Sequence, residues 1–162
     1  MSIQHFDDFK LAVESLSGGT NTVIFDDMEL PSVMVAMPKM TNADLMDGGT
    51  QQTHFAWVVD NEDVDVVYVS KFPNIVFRDR AYSLPNRNPR NFITFDQALA
   101  ACRAKGQGHH LTTNAMYGAI ALLTRRMGLE PRGNNSWGRD FEMTHERGAV
   151  GYVGRVPTIK NE

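Results

Sequence analysis

The sequence has little of what several common kinds of site require. Cys102 is the only cysteine among 162 residues, which excludes an internal disulfide and a four-cysteine zinc site. No run approaches the roughly 18 consecutive apolar residues of a membrane-spanning helix, and the N-terminus lacks the pattern of a secretory signal. The net charge is −3, whereas a general nucleic-acid-binding protein normally presents a basic face. These absences predict no membrane insertion, no nucleic-acid partner and no need for an oxidising compartment.

Catalytic and nucleotide-binding motifs are also missing. The sequence contains no G-x-S-x-G, no phosphate-cradling glycine loop and no H-E-x-x-H. Without a nucleophile, a base and oxyanion donors at a recognisable spacing, no residue can be assigned a catalytic role. We therefore predict a non-enzymatic protein without a cofactor, although residues far apart in sequence can still form a catalytic site.

The residues that are present indicate a globular α+β protein. Hydrophobic residues make up 42% and charged residues 22% of the chain, as in an ordinary folded domain. Helical spacing marks residues 5–16, and turn residues then separate segments rich in β-branched residues. These predicted strands lie in TVIFDD, SVMVAMPKM, THFAWVV, VDVVYVSKF and NIVF, with a loop at residues 41–52. A helix, then strands, then two consecutive helices predict α+β and not a doubly wound sheet.

Two consecutive helices are predicted in the second half of the chain. Thr94 and Gln97 form a capping box at the start of the first helix, and Thr113 caps the second. Gly106 and Gly128 mark their ends. The predicted inward stripes are Phe95, Ala98, Leu99 and Cys102 on the first helix, and Met116, Ile120, Leu123 and Met127 on the second.

For two groups of potential metal ligands, a purely structural interpretation is stronger than a metal site. His109 and His110 are adjacent, so on an extended chain they point to opposite sides and cannot share a metal; we expect one to pack inward and the other to face water. The acidic residues at 60–65 alternate like calcium ligands, but they lack the glycine and the distal glutamate of an EF-hand loop. A solvated hairpin turn is the favoured interpretation, and no metal site is predicted.

One loop has the composition of a binding surface. The segment RGNNSWGRD combines amide and guanidinium donors with an aromatic side chain, at Arg132, Asn134, Asn135, Trp137 and Arg139. Such residues among glycines are typical of adaptable contact loops. The alternative is that Trp137 fills a core and the asparagines cap turns. We predict these five residues as the ligand- or partner-binding site.

Several ordered blocks resemble one protein family. The run FDQALAACRAKGQGHHLTTNAMYGAI resembles the central stretch of the formylglycine-generating-enzyme type of C-type lectin fold. The similarity is closer to phage and prophage proteins of this fold, including the variable proteins targeted by diversity-generating retroelements, and extends from about Val33 to Tyr152. It also includes KFPNIVFRDRAYSLPNRNPRNFITFDQA, LEPRGNNSWGRD and HERGAVGY. The enzymes of the family use paired cysteines for copper, so Cys102 alone excludes that branch.

The resemblance implies a C-type-lectin-like domain at residues 33–162, with two helices against a small antiparallel sheet, and an N-terminal helix-and-strand appendage at residues 1–32 for assembly or attachment. Family members continue into glycine- and tryptophan-rich strands, so we expect a shortened fold, strands supplied by a partner, or a fragment.

In function, the resemblance implies a virion protein made in the bacterial cytoplasm. The expected role is a tail-fibre or tail-tip component that binds a host surface protein or glycan. A structural virion protein, such as a head-decoration or baseplate subunit, is the alternative. Other virion subunits are expected partners, and a homo-oligomer, with a trimer favoured, is the expected assembly.

Overall fold

A computed structural model describes residues 3–129, 140–143 and 145, with side chains from residue 7 onwards. The helices are α1 (Ile3–Leu16), α2 (Asn42–Leu45), α3 (Phe95–Arg103) and α4 (Asn114–Arg126), with a 3₁₀ helix at Phe55–Trp57. The strands are β1 (Asn21–Phe25), β2 (Pro31–Pro38), β3 (Val58–Val59), β4 (Glu62–Asp63), β5 (Val66–Ser70), β6 (Ile75–Phe77) and β7 (Arg80–Tyr82). The described residues are therefore α+β, as the sequence predicts.

The central element is an antiparallel sheet with the strand order β1-β2-β5. The register sets Val33 opposite Val23 on one side of β2, and Ala36 opposite Tyr68 on the other. Two small antiparallel hairpins, β3-β4 and β6-β7, accompany this sheet. β-branched residues make up three of the five residues in each of β1 and β5, because they pack well on a pleated, half-buried surface.

Helix α4 covers one face of the three-stranded sheet. Residues two apart on a strand share a face, and Val35 and Met37 of β2, with Val67 and Val69 of β5, belong to the main apolar core. Its buried members are Met37, Leu45, Trp57, Met116 and Ala119, with Val35, Val67, Val69, Ile120 and Leu123 packed against them. Trp57 has no exposed area, and its Nε1 donates to the carbonyl of Met37 at 3.0 Å. Burial of this indole organises the core.

Helix α1 packs against β1. Thr22 Oγ1 donates to Glu14 Oε1 at 2.6 Å, joining the helix to the strand. Val13 is half-buried, but Leu16 is 91% exposed. The helical apolar spacing of residues 5–16 therefore does not bury Leu16, because it is the last residue of the helix and the chain turns toward β1 directly after it.

Helix α3 packs against β7. The predicted capping box of Thr94 and Gln97 is confirmed, and Cys102 is buried with Ala81 and Ala101 in a second apolar cluster. Phe95, however, is 70% exposed. Its predicted inward position is wrong because burial rises along the helix, from an exposed first turn to a buried last turn.

Helix α4 begins at the predicted cap, with Thr113 Oγ1 accepting from the N–H of Met116. Gly128 has a φ of +74°, and the N–H of Leu129 reaches back to the carbonyl of Thr124, as expected for a left-handed helix end. Met127 lies past the last helical turn and is 64% exposed, so its predicted inward position is wrong.

Two short helices lie where the sequence predicts a strand and a loop. The segment THFAWVV was predicted as a strand, but residues 55–57 form a 3₁₀ helix in which His54 Nδ1 accepts from the N–H of Ala56. Within the predicted loop at residues 41–52, Thr41 and Asp44 form a capping box at the start of α2. Both differences arise from side chains that cap backbone N–H groups, which hydrophobic periodicity does not report.

The predicted boundary between residues 32 and 33 falls within β2. The register pairs Pro31–Val35 of β2 with Asn21–Phe25 of β1, so the proposed appendage and the proposed main domain share one sheet. Strand β1 therefore pairs with β2, which pairs with β5 on its other side. Helix α1 packs against β1.

Gly49→Ala should destabilise the protein, whereas Gly118→Ala should not. A Cβ at Gly49 would lie 2.3 Å from the carbonyl oxygen of Asn42 in α2, while one at Gly118 meets nothing within 4 Å outside its own helix backbone. We expect Gly118→Ala in α4 to stabilise by about 0.5–1 kcal/mol through helix propensity. Urea denaturation measures both, and a Gly49→Ala protein as stable as the parent would contradict the close approach of Gly49 to α2.

Candidate functional site

The five residues predicted from sequence as a binding site lie outside the described residues. Arg132, Asn134, Asn135, Trp137 and Arg139 all fall within residues 130–139, so their role stays a prediction. Within the described residues, the greatest concentration of chemically functional side chains is a buried polar cluster between the β1-β2 connection, β7 and the end of α3. We call Asp26, Ser32, Arg80, Tyr82 and Lys105 the polar cluster.

The Asp26 carboxylate is the centre of the polar cluster. Its side chain has no exposed area, and it accepts from the N–H groups of Met28 and Leu30, both at 3.0 Å. Tyr82 Oη donates to it at 2.6 Å. Burial raises the pKa of Asp26, but the hydrogen bonds, led by those from Tyr82 and Leu30, outweigh burial and hold the pKa below its ordinary value.

Arg80 supplies the positive charge beside this carboxylate. Its guanidinium lies 3.2 Å from Asp26 Oδ2 and also pairs with Asp27 at the surface. The hydrogen bond with Asp27 is the main cause that raises the pKa of Arg80, and the same bond lowers the pKa of Asp27. Arg80 and Tyr82 are two residues apart on β7, so the strand directs both side chains to Asp26.

Lys105 completes the polar cluster from the end of α3. This residue is only 8% exposed, and its Nζ donates to Ser32 Oγ at 2.6 Å while lying 4.7 Å from the centroid of the Tyr82 ring. Burial lowers the pKa of Lys105, and the negative charge of Asp26 opposes that effect. Burial also raises the pKa of Tyr82 to about 12. Ring, hydroxyl and carboxylate together hold the buried ammonium.

Cys102 and His109 adjoin the polar cluster without joining it. Burial raises the pKa of the Cys102 thiol, as expected of a small buried apolar side chain. His109 is half-buried and His110 exposed, which confirms the predicted inward and outward pair. Burial lowers the pKa of His109, the charge of Lys105 adds to that effect, and His109 Nδ1 is buried without a hydrogen-bond partner in the described structure.

The acidic residues at 60–65 form a solvated hairpin, as predicted. Asp60 and Asn61 have φ values of +51° and +64° at the β3-β4 turn, and Lys39 Nζ lies 3.2 Å from Asp65 and 3.9 Å from Asp63. Within residues 3–129, 140–143 and 145, no group of three or more His, Cys, Asp or Glu side chains is placed to hold a metal.

A cavity of about 360 Å³ lies beside the polar cluster. Its walls are mostly apolar and come from Leu30, Pro31, Ile75, Phe77, Tyr82 and Leu84. Arg87 is the charged residue of the lining. One wall is thus the ring of Tyr82, whose hydroxyl binds Asp26. This volume lies at the lower end of the roughly 300–1,000 Å³ typical of ligand pockets.

Sequence reasoning missed the polar cluster, although weak local signals exist. An aspartate followed by a short turn often accepts from N–H groups a few residues later, and Asp26 does this with Met28 and Leu30. The alternation in Arg80-Ala81-Tyr82 places two polar side chains on one face. Lys105, by contrast, follows a helix and resembles an ordinary basic residue near a C-terminus.

Comparisons with known proteins do not assign a family. Neither a scan of protein-family models nor a search of curated proteins returns a match for this chain. Among the described helices, none combines the length and apolar character needed to cross a membrane.

Asp26→Asn should cost about 2–3 kcal/mol of stability at neutral pH, because a buried acceptor of four donors loses its charge. Asp27→Asn, at the surface, should cost less and serves as the matched control. Because the pKa of Asp26 is lowered on folding, its contribution is complete above the unfolded pKa of about 3.9 and is lost as the pH falls through the folded value. Urea denaturation from pH 7 to pH 2.5 should show the difference between parent and Asp26→Asn shrinking below pH 4; equal losses in the two variants at pH 7 would contradict the central role of Asp26.

Cys102→Ala should leave the fold intact and cost a few tenths to about 1.5 kcal/mol, as for a small buried apolar side chain. The native thiol should react with a disulfide reagent at least about tenfold more slowly than in urea, because it is buried and its pKa is raised. A native thiol as reactive as the unfolded one would contradict the structural role of Cys102.

Proposed function

We propose that this chain is a non-enzymatic virion protein of a bacteriophage, with a C-type-lectin-like domain that acts in a tail fibre or tail tip and binds the host surface. The observation that carries the proposal is the ordered series of sequence blocks from about Val33 to Tyr152. The α+β architecture with two consecutive helices, α3 and α4, is compatible with the fold that those blocks imply.

The ionisable groups with shifted pKa values are engaged in contacts within the protein, and this supports a binding role rather than catalysis. Asp26 and Arg80 bind each other, and Lys105 binds Ser32, so the groups with shifted pKa values join β2, β7 and α3. Such a framework positions surface loops rigidly, as binding scaffolds require. We therefore assign ligand contacts to the surface, with Arg132, Asn134, Asn135, Trp137 and Arg139 as the proposed binding residues and a host surface protein or glycan as the ligand.

A structural role in the virion is the second candidate, and exposed aromatic side chains favour it. Phe92, Phe95 and Tyr117 are 84%, 70% and 72% exposed. Aromatic side chains are enriched at subunit contacts, so these three residues would suit contacts with other virion subunits. A head-decoration or baseplate subunit would use the same fold in this way.

A homo-oligomer, with a trimer favoured, is part of the proposal. In the sheet formed by the described strands, β1 and β5 are the two edges, and unprotected edges are natural sites for pairing with other chains. Tail components are built from repeated subunits, so copies of this chain would meet in a symmetric assembly.

Labelling of intact particles tests the proposal. Antibodies raised against the purified protein should label the tail tip or fibres in electron micrographs, and the purified protein should compete with particles for adsorption to host cells. Analytical ultracentrifugation should give three times the 18.1 kDa chain mass. Preimmune serum and a heat-denatured sample are the controls.

The outcomes separate the two candidates. Regular labelling of the head or baseplate, without competition for adsorption, would favour the structural role. Absence of the protein from purified particles would overturn both virion roles.

A further inference from the structure

The apolar cavity beside Tyr82 lies in a locally basic part of an acidic protein. The whole chain has a net charge of −3, whereas residues 78–90 contain four arginines and one aspartate. Only Arg80 of these four forms an ion pair within the described residues, with Asp26 and Asp27. Within the part of the chain that the structure describes, Arg78, Arg87 and Arg90 are thus the arginines of this segment with which an anionic ligand can pair.

One of these arginines lines the cavity, and a second lies against the ring of a wall residue. Arg87 lines it, and Phe77 forms another part of the wall. The guanidinium of Arg78 lies 5.2 Å from the centroid of the Phe77 ring, and Phe77 is 47% exposed. The cavity therefore has a mostly apolar lining with one guanidinium, that of Arg87 after β7. A second guanidinium, that of Arg78 in the β6-β7 turn, lies beside the wall residue Phe77.

We propose that this cavity binds an acidic polypeptide segment through one aromatic side chain, with carboxylates on both sides of that residue pairing with Arg87 and Arg78. An aromatic ring suits walls made of Leu30, Ile75 and Tyr82, because buried rings gain both apolar area and ring-edge contacts. Two guanidinium groups on separate segments can pair with anions at two points, which an acidic polypeptide supplies and a single-carboxylate molecule does not. Arginine also pairs with carboxylates in a fixed two-bond geometry.

The cavity is held open before a ligand arrives. Tyr82 is 2% exposed, its hydroxyl is fixed by Asp26, and Lys105 lies against its ring. Leu30, the last residue of the β1-β2 connection, donates its N–H to the carboxylate of Asp26, the first residue of that connection. Walls fixed in this way reduce the ordering cost of binding. This inference does not depend on the virion role, since binding can be measured on the purified chain alone.

Fluorescence anisotropy with designed peptides tests the inference. The probe is a fluorescein-labelled Gly-Asp-Asp-Trp-Asp-Asp-Gly peptide, compared with versions that carry lysine for aspartate or alanine for tryptophan. The full-length protein should bind the probe at least about tenfold more tightly than either comparison peptide. Binding should weaken as salt rises from 50 to 500 mM, because the paired charges are near the surface.

Variants of the cavity separate this site from unspecific attraction. Arg87→Ala should weaken binding of the acidic tryptophan peptide at least about fivefold, as expected for loss of a charge-assisted pair. Leu84→Trp should also weaken binding by filling the cavity. Arg125→Ala removes an arginine from the last turn of α4 and should leave binding unchanged. Circular dichroism checks that each variant is folded. If Leu84→Trp does not fold, the comparison of Arg87→Ala with Arg125→Ala is sufficient to test the site.

Three results would overturn the inference. One is equal binding of the acidic and basic peptides; another is an equal effect of Arg87→Ala and Arg125→Ala. In the third, N-acetylphenylalaninate competes with the peptide at the peptide's own Kd, which would make the cavity a site for small aromatic carboxylates instead. Failure of the protein to label phage particles would leave the peptide result unaffected and would bear only on the virion role.

Discussion

The buried carboxylate of Asp26 is the interaction on which the described structure depends most. A carboxylate without exposed area is costly to bury unless its oxygens are fully hydrogen-bonded. Here the backbone N–H groups of Met28 and Leu30 come from its own turn, while Tyr82 and Arg80 come from a strand more than 50 residues later. The lowered pKa of Asp26 indicates that these donors outweigh the cost of burial. One side chain thus shapes the β1-β2 connection and locates β7.

The position of β7 also determines where α3 packs in the second half of the chain. Helix α3 packs on β7 through Ala101 and Cys102, and its end carries Lys105 to Ser32 on β2. The ammonium has no carboxylate within ion-pair distance in the described structure, so it relies on a hydroxyl, a ring face and the nearby charge of Asp26. Lys105 thus joins the end of α3 to β2 and β7 through its contacts with Ser32 and Tyr82.

Local interactions made α3 and α4 predictable from sequence, whereas the polar cluster could not be predicted. The capping box at Thr94 and the cap at Thr113 involve residues within three positions, so their pattern is visible in the sequence. The partners of Asp26 are separated from it by more than 50 residues, and no period or spacing indicates such a pair. The same limit applies to Phe95, which is 70% exposed because α3 packs on β7 through its last turn, at Ala101 and Cys102. The cavity was invisible for the same reason, because its walls come from three separate segments.

Tyr82 belongs to both the framework and the cavity, and this couples the two. Its hydroxyl binds Asp26, one face of its ring meets the Lys105 ammonium, and the ring also forms a cavity wall. A tyrosine fixed by three kinds of contact cannot turn away to admit a ligand, so a ligand must fit the wall as it stands. Loss of the Asp26 hydrogen bond would free the ring and change the cavity even if the fold persisted. Contacts inside the protein thereby determine the shape of the cavity, while Arg87, outside the polar cluster, is the charged residue of its lining.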